Sequence, residues 1–289
     1  MLFSRALERI SLFGTVIPQP RVFFDFLGFE KHVKQIRDKR GAGMPPAWYD
    51  HAAYYVIDLP PEKLFGTGEE VVVPACTNMA DYEFELGLII TEEALLTSFD
   101  EALAFFKQSC LLTIVNDWSA RDVQKLDMEG LGPANSKQII GKSCGPKIVP
   151  VSALKTDEFG VFDMDMRLKV NGEMRCDTNY RTLYHVHPKT NVKAAWSFPR
   201  LLQFLGQNNI KVHPGYWLGS GTVGDGCIGE FSAKIDPQTG SVITPARYPW
   251  LKEGDLVELE VEGIGTLSNT VRFQNKDMKA GAVSTLAAQ

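Results

Sequence analysis

Along residues 81–90 the chain reads DYEFELGLII, with Asp81, Glu83 and Glu85 at alternate positions and Tyr82, Phe84 and Leu86 between them. Side chains alternate across a β-strand and repeat every ~6.8 Å on one face, so this spelling predicts an apolar face and a carboxylate face. Two charges at that separation repel by roughly 2 kcal/mol at an effective dielectric near 20. Either water solvates the acids along a strand edge, or a hard divalent cation compensates them.

The pattern elsewhere is just as mixed. EKHVKQIRDKRGAGMPP, residues 30–46, predicts a short basic helix running into a Gly/Pro loop. AAYYVIDL reads as a strand, and PPEKLFGTGEEVVVP after it marks a soft boundary between a segment 1–62 and a domain 63–289. SFDEALAFFKQ predicts a capped helix, while LLTIV after it reads equally as buried helix or strand. NDWSARDVQ places Asp117, Arg121 and Gln124 at i, i+4 and i+7, one face if the stretch is helical. VFDMDMRLKVNGEMRCDTN predicts a hairpin turning at Asn171-Gly172, SFPRLLQFLGQNNI a helix ending near Gly206, and the last ninety residues short strands. No repeat and no regular βαβ alternation appear, so the expected class is α+β with a mixed or antiparallel sheet.

Composition narrows the chemistry. The 289 residues are 44% hydrophobic with a formal net charge of −5, and the basic residues are scattered. That suits a globular protein acting on small molecules and offers no field for nucleic acid. Five widely spaced cysteines with no CxxC pair argue against a disulfide framework and a zinc site. No apolar run is long enough to span a bilayer, and Arg5, Glu8 and Arg9 interrupt any signal-peptide core in MLFSRALERISLFG. That opening is amphipathic enough to resemble a mitochondrial presequence weakly, but the expected location is cytoplasmic.

Three further stretches carry polar groups that a fold does not require: NDWSARDVQ, GKSCGP with Lys142 between glycines, and GSGTVGDG around Thr222. Each alone reads as an ion pair, a surface lysine or a turn. In this order with DYEFELG they resemble the fumarylacetoacetate hydrolase superfamily, from about Phe24 to the C-terminus. The resemblance implies a mixed β-sandwich roll with a small lid-bearing amino-terminal segment, a homodimer, and a divalent ion held by Glu83, Glu85 and Asp117. It also implies that Asp25 is a metal ligand and His32, seven residues later in DFLGFEKH, a catalytic base. Asp81 is no ligand in that pattern. Glu230 in GCIGEF takes the place of the acid that orients the histidine. Tyr54, with Tyr55 as the competing register, and Arg37 match substrate-binding positions. The separate amino-terminal β domain of the full-length hydrolase of tyrosine breakdown does not fit in this chain, which argues against fumarylacetoacetate as substrate.

The implied reaction is metal-dependent hydrolysis of a C–C bond in a β-diketo acid such as an acylpyruvate. The alternative is decarboxylation or keto–enol isomerisation of a 2-oxo diacid. Carboxylate ligands suit Mg²⁺, or Mn²⁺ or Ca²⁺. His32 activates water with Glu230 behind it, Lys142 and Gln124 stabilise the oxyanion, and Arg121 and Thr222 join Tyr54 and Arg37 in holding substrate.

Overall fold

The computed structural model describes residues 9–12, 14–130, 132–236 and 238–274. Most of MLFSRALERISLFG lies outside them. The main sheet has seven strands in the order Tyr54–Asp58, Val22–Phe26, Tyr216–Gly219, Phe84–Ile90, Cys110–Asp117, Lys142–Pro150 and Leu64–Phe65. Val22–Phe26 runs parallel to Tyr216–Gly219, and Lys142–Pro150 parallel to Leu64–Phe65; the other pairs are antiparallel. A second sheet of five strands is also mixed, in the order Glu173–Asn179, Asp165–Val170, Leu256–Val261, Gly265–Phe273 and Glu70–Val73.

Local chemistry explains most boundaries. Ser98 and Glu101 form a reciprocal capping box at the start of helix Phe99–Gln108, satisfying amides that the first turn leaves free. LLTIV is strand, as part of Cys110–Asp117, because it is sandwiched between Phe84–Ile90 and Lys142–Pro150. The hairpin turns at Asn171 and Gly172, both at positive φ (53° and 78°), the conformation a tight two-residue turn demands. Strand Phe84–Ile90 is buried along its whole length, so its residues read as a continuous apolar run wherever no acid intervenes.

The soft boundary near residue 62 is no break in the main sheet, since Val22–Phe26 and Tyr54–Asp58 both pair within it. The basic segment forms helix Glu30–Lys39. Its Lys31 bonds Asp225 at 2.5 Å, and Gln35 bonds the same carboxylate at 2.6 Å, which seats the helix on the glycine-rich turn. No helix among the described residues is long and apolar enough to cross a membrane.

Candidate active site

Strand register assembles the site. Asp25 lies across from Tyr55 on one side and Gly219 on the other, Gly219 lies across from Gly87, and Asp117 lies across from Lys142. Carboxylate oxygens of Asp25, Glu85 and Asp117 can all lie within 4.8 Å of one another, and all three residues are buried. Gly219 makes this possible, because a Cβ there would meet Glu85 Oε2 at 2.6 Å and the Phe23 ring at 2.9 Å. Gly219→Ala is therefore expected to push Glu85 aside and to cost about 1–3 kcal/mol through overpacking. Urea unfolding measures this, and an unchanged midpoint would show that the strand accommodates the methyl freely.

Glu83 stands beside this trio. It accepts from Arg121 Nη2 at 2.7 Å and from Lys137 Nζ at 2.5 Å. Burial pushes its carboxyl up, but the two cations outweigh that and bring it down to about 2. Asp117 is held well below the usual carboxylate range in the same way, burial being overcome by Lys137, at 2.8 Å, and Lys142. Asp25 and Glu85 go the other way. Burial raises both, and neighbouring acids raise them further. The Tyr55 hydroxyl sits between Asp25 and Asp117, 2.9 Å from the latter. With one proton the hydroxyl donates to only one of the two acids at a time.

Asp81 is neither solvated nor a member of the trio. It is fully buried and accepts from Arg121 Nε at 2.7 Å and from the amides of Ile228 (2.8 Å) and Gly229 (2.9 Å). Its role is to hold Arg121 and the Gly229–Phe231 turn, which carries Glu230. The i, i+4, i+7 reading of NDWSARDVQ is corrected by the structure. Asp117 ends a strand and the helix begins only at Arg121, so Arg121 turns to Asp81, Glu83 and Gln124 instead of Asp117.

His32 Nδ1 lies 2.9 Å from Glu230 Oε1, with both side chains buried, and the second Glu230 oxygen accepts from the Cys227 amide at 3.1 Å. Glu230 is raised by burial, against the pull of His32. This pairing leaves Nε2 as the ring nitrogen not engaged with Glu230. His32 lines a cavity of about 120 Å³ together with Asp25, Glu85, Arg121, Gln124 and Lys137.

Other expected positions are distributed differently. Tyr54 packs against Phe24 and Phe26 in an aromatic group, whereas Tyr55 lines the cavity. Arg37 Nε is taken by the Gly43 carbonyl at 2.5 Å. Arg40, one turn on, also lines the cavity and makes no side-chain hydrogen bond or ion pair among the described residues. Thr222 donates to Glu85 Oε1 at 3.4 Å. Lys142 sits behind Asp117 and does not line the cavity; Lys137, which sequence reasoning missed, does. Its signal was a second lysine five residues earlier in SKQIIGKSC, but nothing in the spacing says which of the two faces the cavity.

These buried acids fit a divalent ion. Five carboxylates (Asp25, Asp81, Glu83, Glu85, Asp117) face three cations (Arg121, Lys137, Lys142), leaving two negative charges, and Glu85 touches no cation among the described residues. An all-oxygen donor set of this charge suits Mg²⁺ or Mn²⁺.

Known proteins show the same arrangement of chain. The 2,4-didehydro-3-deoxy-L-rhamnonate hydrolase of a Sphingomonas strain is 29% identical over 75% of this chain and 67% of its own length. Oxaloacetate tautomerase YisK of Bacillus subtilis is 26% identical over 68% of this chain and 53% of its own. The fold matches the crystal structure of fumarylpyruvate hydrolase from Pseudomonas aeruginosa in complex with Mn²⁺ and pyruvate, with a TM-score of 0.62 and 17% identity over 95% of this chain and all of that one. Residues 21–272, the span that supplies every acid and base of the cavity, match the fumarylacetoacetate (FAA) hydrolase C-terminal model, and the chain belongs to that family.

Proposed function

We propose that the protein hydrolyses the C–C bond of a β-diketo acid of the acylpyruvate type. The observation that carries this reading is the buried His32–Glu230 pair at 2.9 Å, opening onto the same cavity as the carboxylate cluster. A hydrolase needs a base to take a proton from water, whereas a decarboxylase needs mainly the metal; a keto–enol isomerase would use the same base on carbon.

Asp25, Glu85 and Asp117 would hold the divalent ion, with Glu83 as the fourth acid beside them. When bound, the ion supplies Lewis-acid charge for the oxygens of a 2-oxo acid. His32 Nε2 takes a proton from water as its oxygen adds to the distal carbonyl. The C–C bond then breaks with its electron pair on the pyruvate methylene, and the imidazolium returns the proton there. The products are pyruvate and the carboxylic acid of the acyl group. Glu230 keeps Nδ1 protonated and the ring oriented throughout. Lys137 uses two of its three N–H groups on Glu83 and Asp117, so the third is free for the developing oxyanion, beside Gln124.

A groove of about 300 Å³ shares His32 with the cavity and is walled by Leu27, Val33, Ile36, Trp48, Ala52 and Met128 together with Arg37, Arg40 and His51. An apolar wall favours an apolar acyl group, at about 0.8 kcal/mol per buried methylene. Arg40, which lines the cavity and has no side-chain hydrogen bond or ion pair among the described residues, suits the substrate carboxylate.

Acylpyruvates of increasing chain length, followed by loss of diketone absorbance with Mg²⁺ and by product identification, test the proposal. Pyruvate plus a carboxylic acid is expected, with kcat/KM rising as the acyl chain lengthens to fill the groove. Turnover of oxaloacetate with every acylpyruvate left intact would transfer the site to the isomerase or decarboxylase reading, which the resemblance to oxaloacetate tautomerase favours.

A further inference from the structure

We propose that His32, Cys227 and Glu230 form a second metal site, for a thiophilic ion such as Zn²⁺, and that loading it switches the base off. The binding stands on the geometry of these three side chains; only the loss of activity rests on the reading of His32 as the base.

One ligand atom from each of the three lies within 4.8 Å of the others, and all three residues are buried. None of them belongs to the carboxylate trio Asp25, Glu85 and Asp117. Cys227 and Glu230 come from one turn, where the Cys227 amide donates to Glu230 Oε2 at 3.1 Å and leaves Oε1 facing His32 Nδ1 at 2.9 Å. The Cys227 thiol makes no hydrogen bond among the described residues, so its sulfur is uncommitted. Cysteine spacing gave no signal of this set, because 198 residues separate His32 from Glu230. His32 lines the cavity, which supplies the route by which an ion reaches the buried sulfur.

The donor types separate the two sites. Tetrahedral zinc takes S, N and O donors at ~2.0–2.3 Å, which three groups this close reach with small side-chain rotations. Mg²⁺ and Mn²⁺ prefer the all-oxygen trio, whereas a thiolate selects the softer ion. Charge also balances. The two positive charges of Zn²⁺ meet one negative charge on the Cys227 thiolate and one on Glu230, while Arg121, beside Gly229, is already held by Asp81 and Glu83. Binding breaks the S–H bond and releases that proton to solvent. The ion also takes the place of the proton on Nδ1, and Nε2 takes up a proton in its stead. A ring protonated at Nε2 has no lone pair there for the proton of water, so filling this site removes the base.

The test is Co²⁺ titration with Mg²⁺ saturating the carboxylate site, because a thiolate–Co²⁺ bond has a charge-transfer band in the near ultraviolet and an all-oxygen site has none. Wild type is expected to develop that band. Cys76→Ser, which removes the one exposed thiol, should keep it, and Cys227→Ser should lose it. Removing a ligand costs at least what disturbing an outer-shell partner does, roughly 10–100-fold in affinity, so Zn²⁺ inhibition of acylpyruvate turnover should weaken by at least that much in Cys227→Ser. If Cys227→Ser does not fold, Cys227→Ala and His32→Ala, read by the same band, take its place. No band in folded wild type, or a band that survives in Cys227→Ser, overturns the site and leaves Cys227 an ordinary core residue. Equal Zn²⁺ inhibition of wild type and Cys227→Ser places the inhibition at the carboxylate trio and overturns the switch. A band lost with Cys227, beside turnover that Zn²⁺ does not touch, supports the site and overturns His32 as the base. If wild type turns over no acylpyruvate, the hydrolytic reading fails and the band still decides the metal site.

Discussion

Replacing His32 by alanine lowers kcat for acylpyruvate hydrolysis by about 10²–10⁴-fold while leaving Mn²⁺ affinity unchanged. The reason is positional. His32 is the one histidine lining the cavity, its Nδ1 is committed to Glu230 at 2.9 Å, and Nε2 is the atom left to accept a proton from water. None of the carboxylates loses a hydrogen bond to His32 except Glu230, so the metal-binding acids keep their partners. Glu230→Gln should produce a smaller fall than His32→Ala, because the ring remains but loses its orienting charge. Turnover of an acylpyruvate and of oxaloacetate by wild type and both variants, with Mg²⁺ saturating and fold checked by circular dichroism, is the measurement. If wild type converts only oxaloacetate, and His32→Ala does so equally well, no water is being activated and the hydrolytic assignment is lost.

Lys137→Met is expected to lower kcat by about 10²–10³-fold, the usual effect of removing one oxyanion donor, and to destabilise the protein by a few kcal/mol. The stability loss follows from what Lys137 touches. It bridges Glu83 and Asp117 at 2.5 and 2.8 Å with its side chain almost fully buried, and methionine leaves both acids one cation short. Arg121 still serves Glu83 and Lys142 still serves Asp117, which keeps the loss below that of an isolated buried charge. Lys137→Arg separates the two effects, since a guanidinium preserves the charge but not the reach of a compact ammonium. Denaturant melts and single-turnover rates read the two separately. A Lys137→Met enzyme with full kcat would show that Lys137 is only structural and that Gln124 carries the oxyanion alone.

Alternation in DYEFELG predicted a single strand with one acidic face, and the structure corrects it: Asp81 pairs with Ser119 in the short strand Ala80–Asp81, Tyr82 and Glu83 lie between strands, and Phe84–Ile90 begins after them. The linear pattern left open what that face meets. Asp81, Glu83 and Glu85 look equivalent in sequence, yet Asp81 receives backbone amides, Glu83 receives two cations, and only Glu85 joins Asp25 and Asp117. Those partners come from strands and turns up to about 150 residues away, so no local spacing contains them.

The sequence by itself determined the Asn171-Gly172 hairpin and the capped helix at Ser98, because each rests on neighbours within a few positions, whereas the Asp25/His32 and Glu83/Glu85/Asp117 set was legible only through the resemblance to a family. Tertiary structure alone decided which of Tyr54 and Tyr55 faces the acids, which of Lys137 and Lys142 faces the cavity, and where Arg121 turns. In the first case the candidates are neighbours on strand Tyr54–Asp58, and a one-residue step puts them on opposite faces; in the second, Lys137 lies in the helix Ala134–Gln138 and Lys142 opens the strand Lys142–Pro150, so no single periodicity relates them. In the third, the chain changes from strand to helix between Asp117 and Arg121, and the helical spacing that paired them ceases to apply.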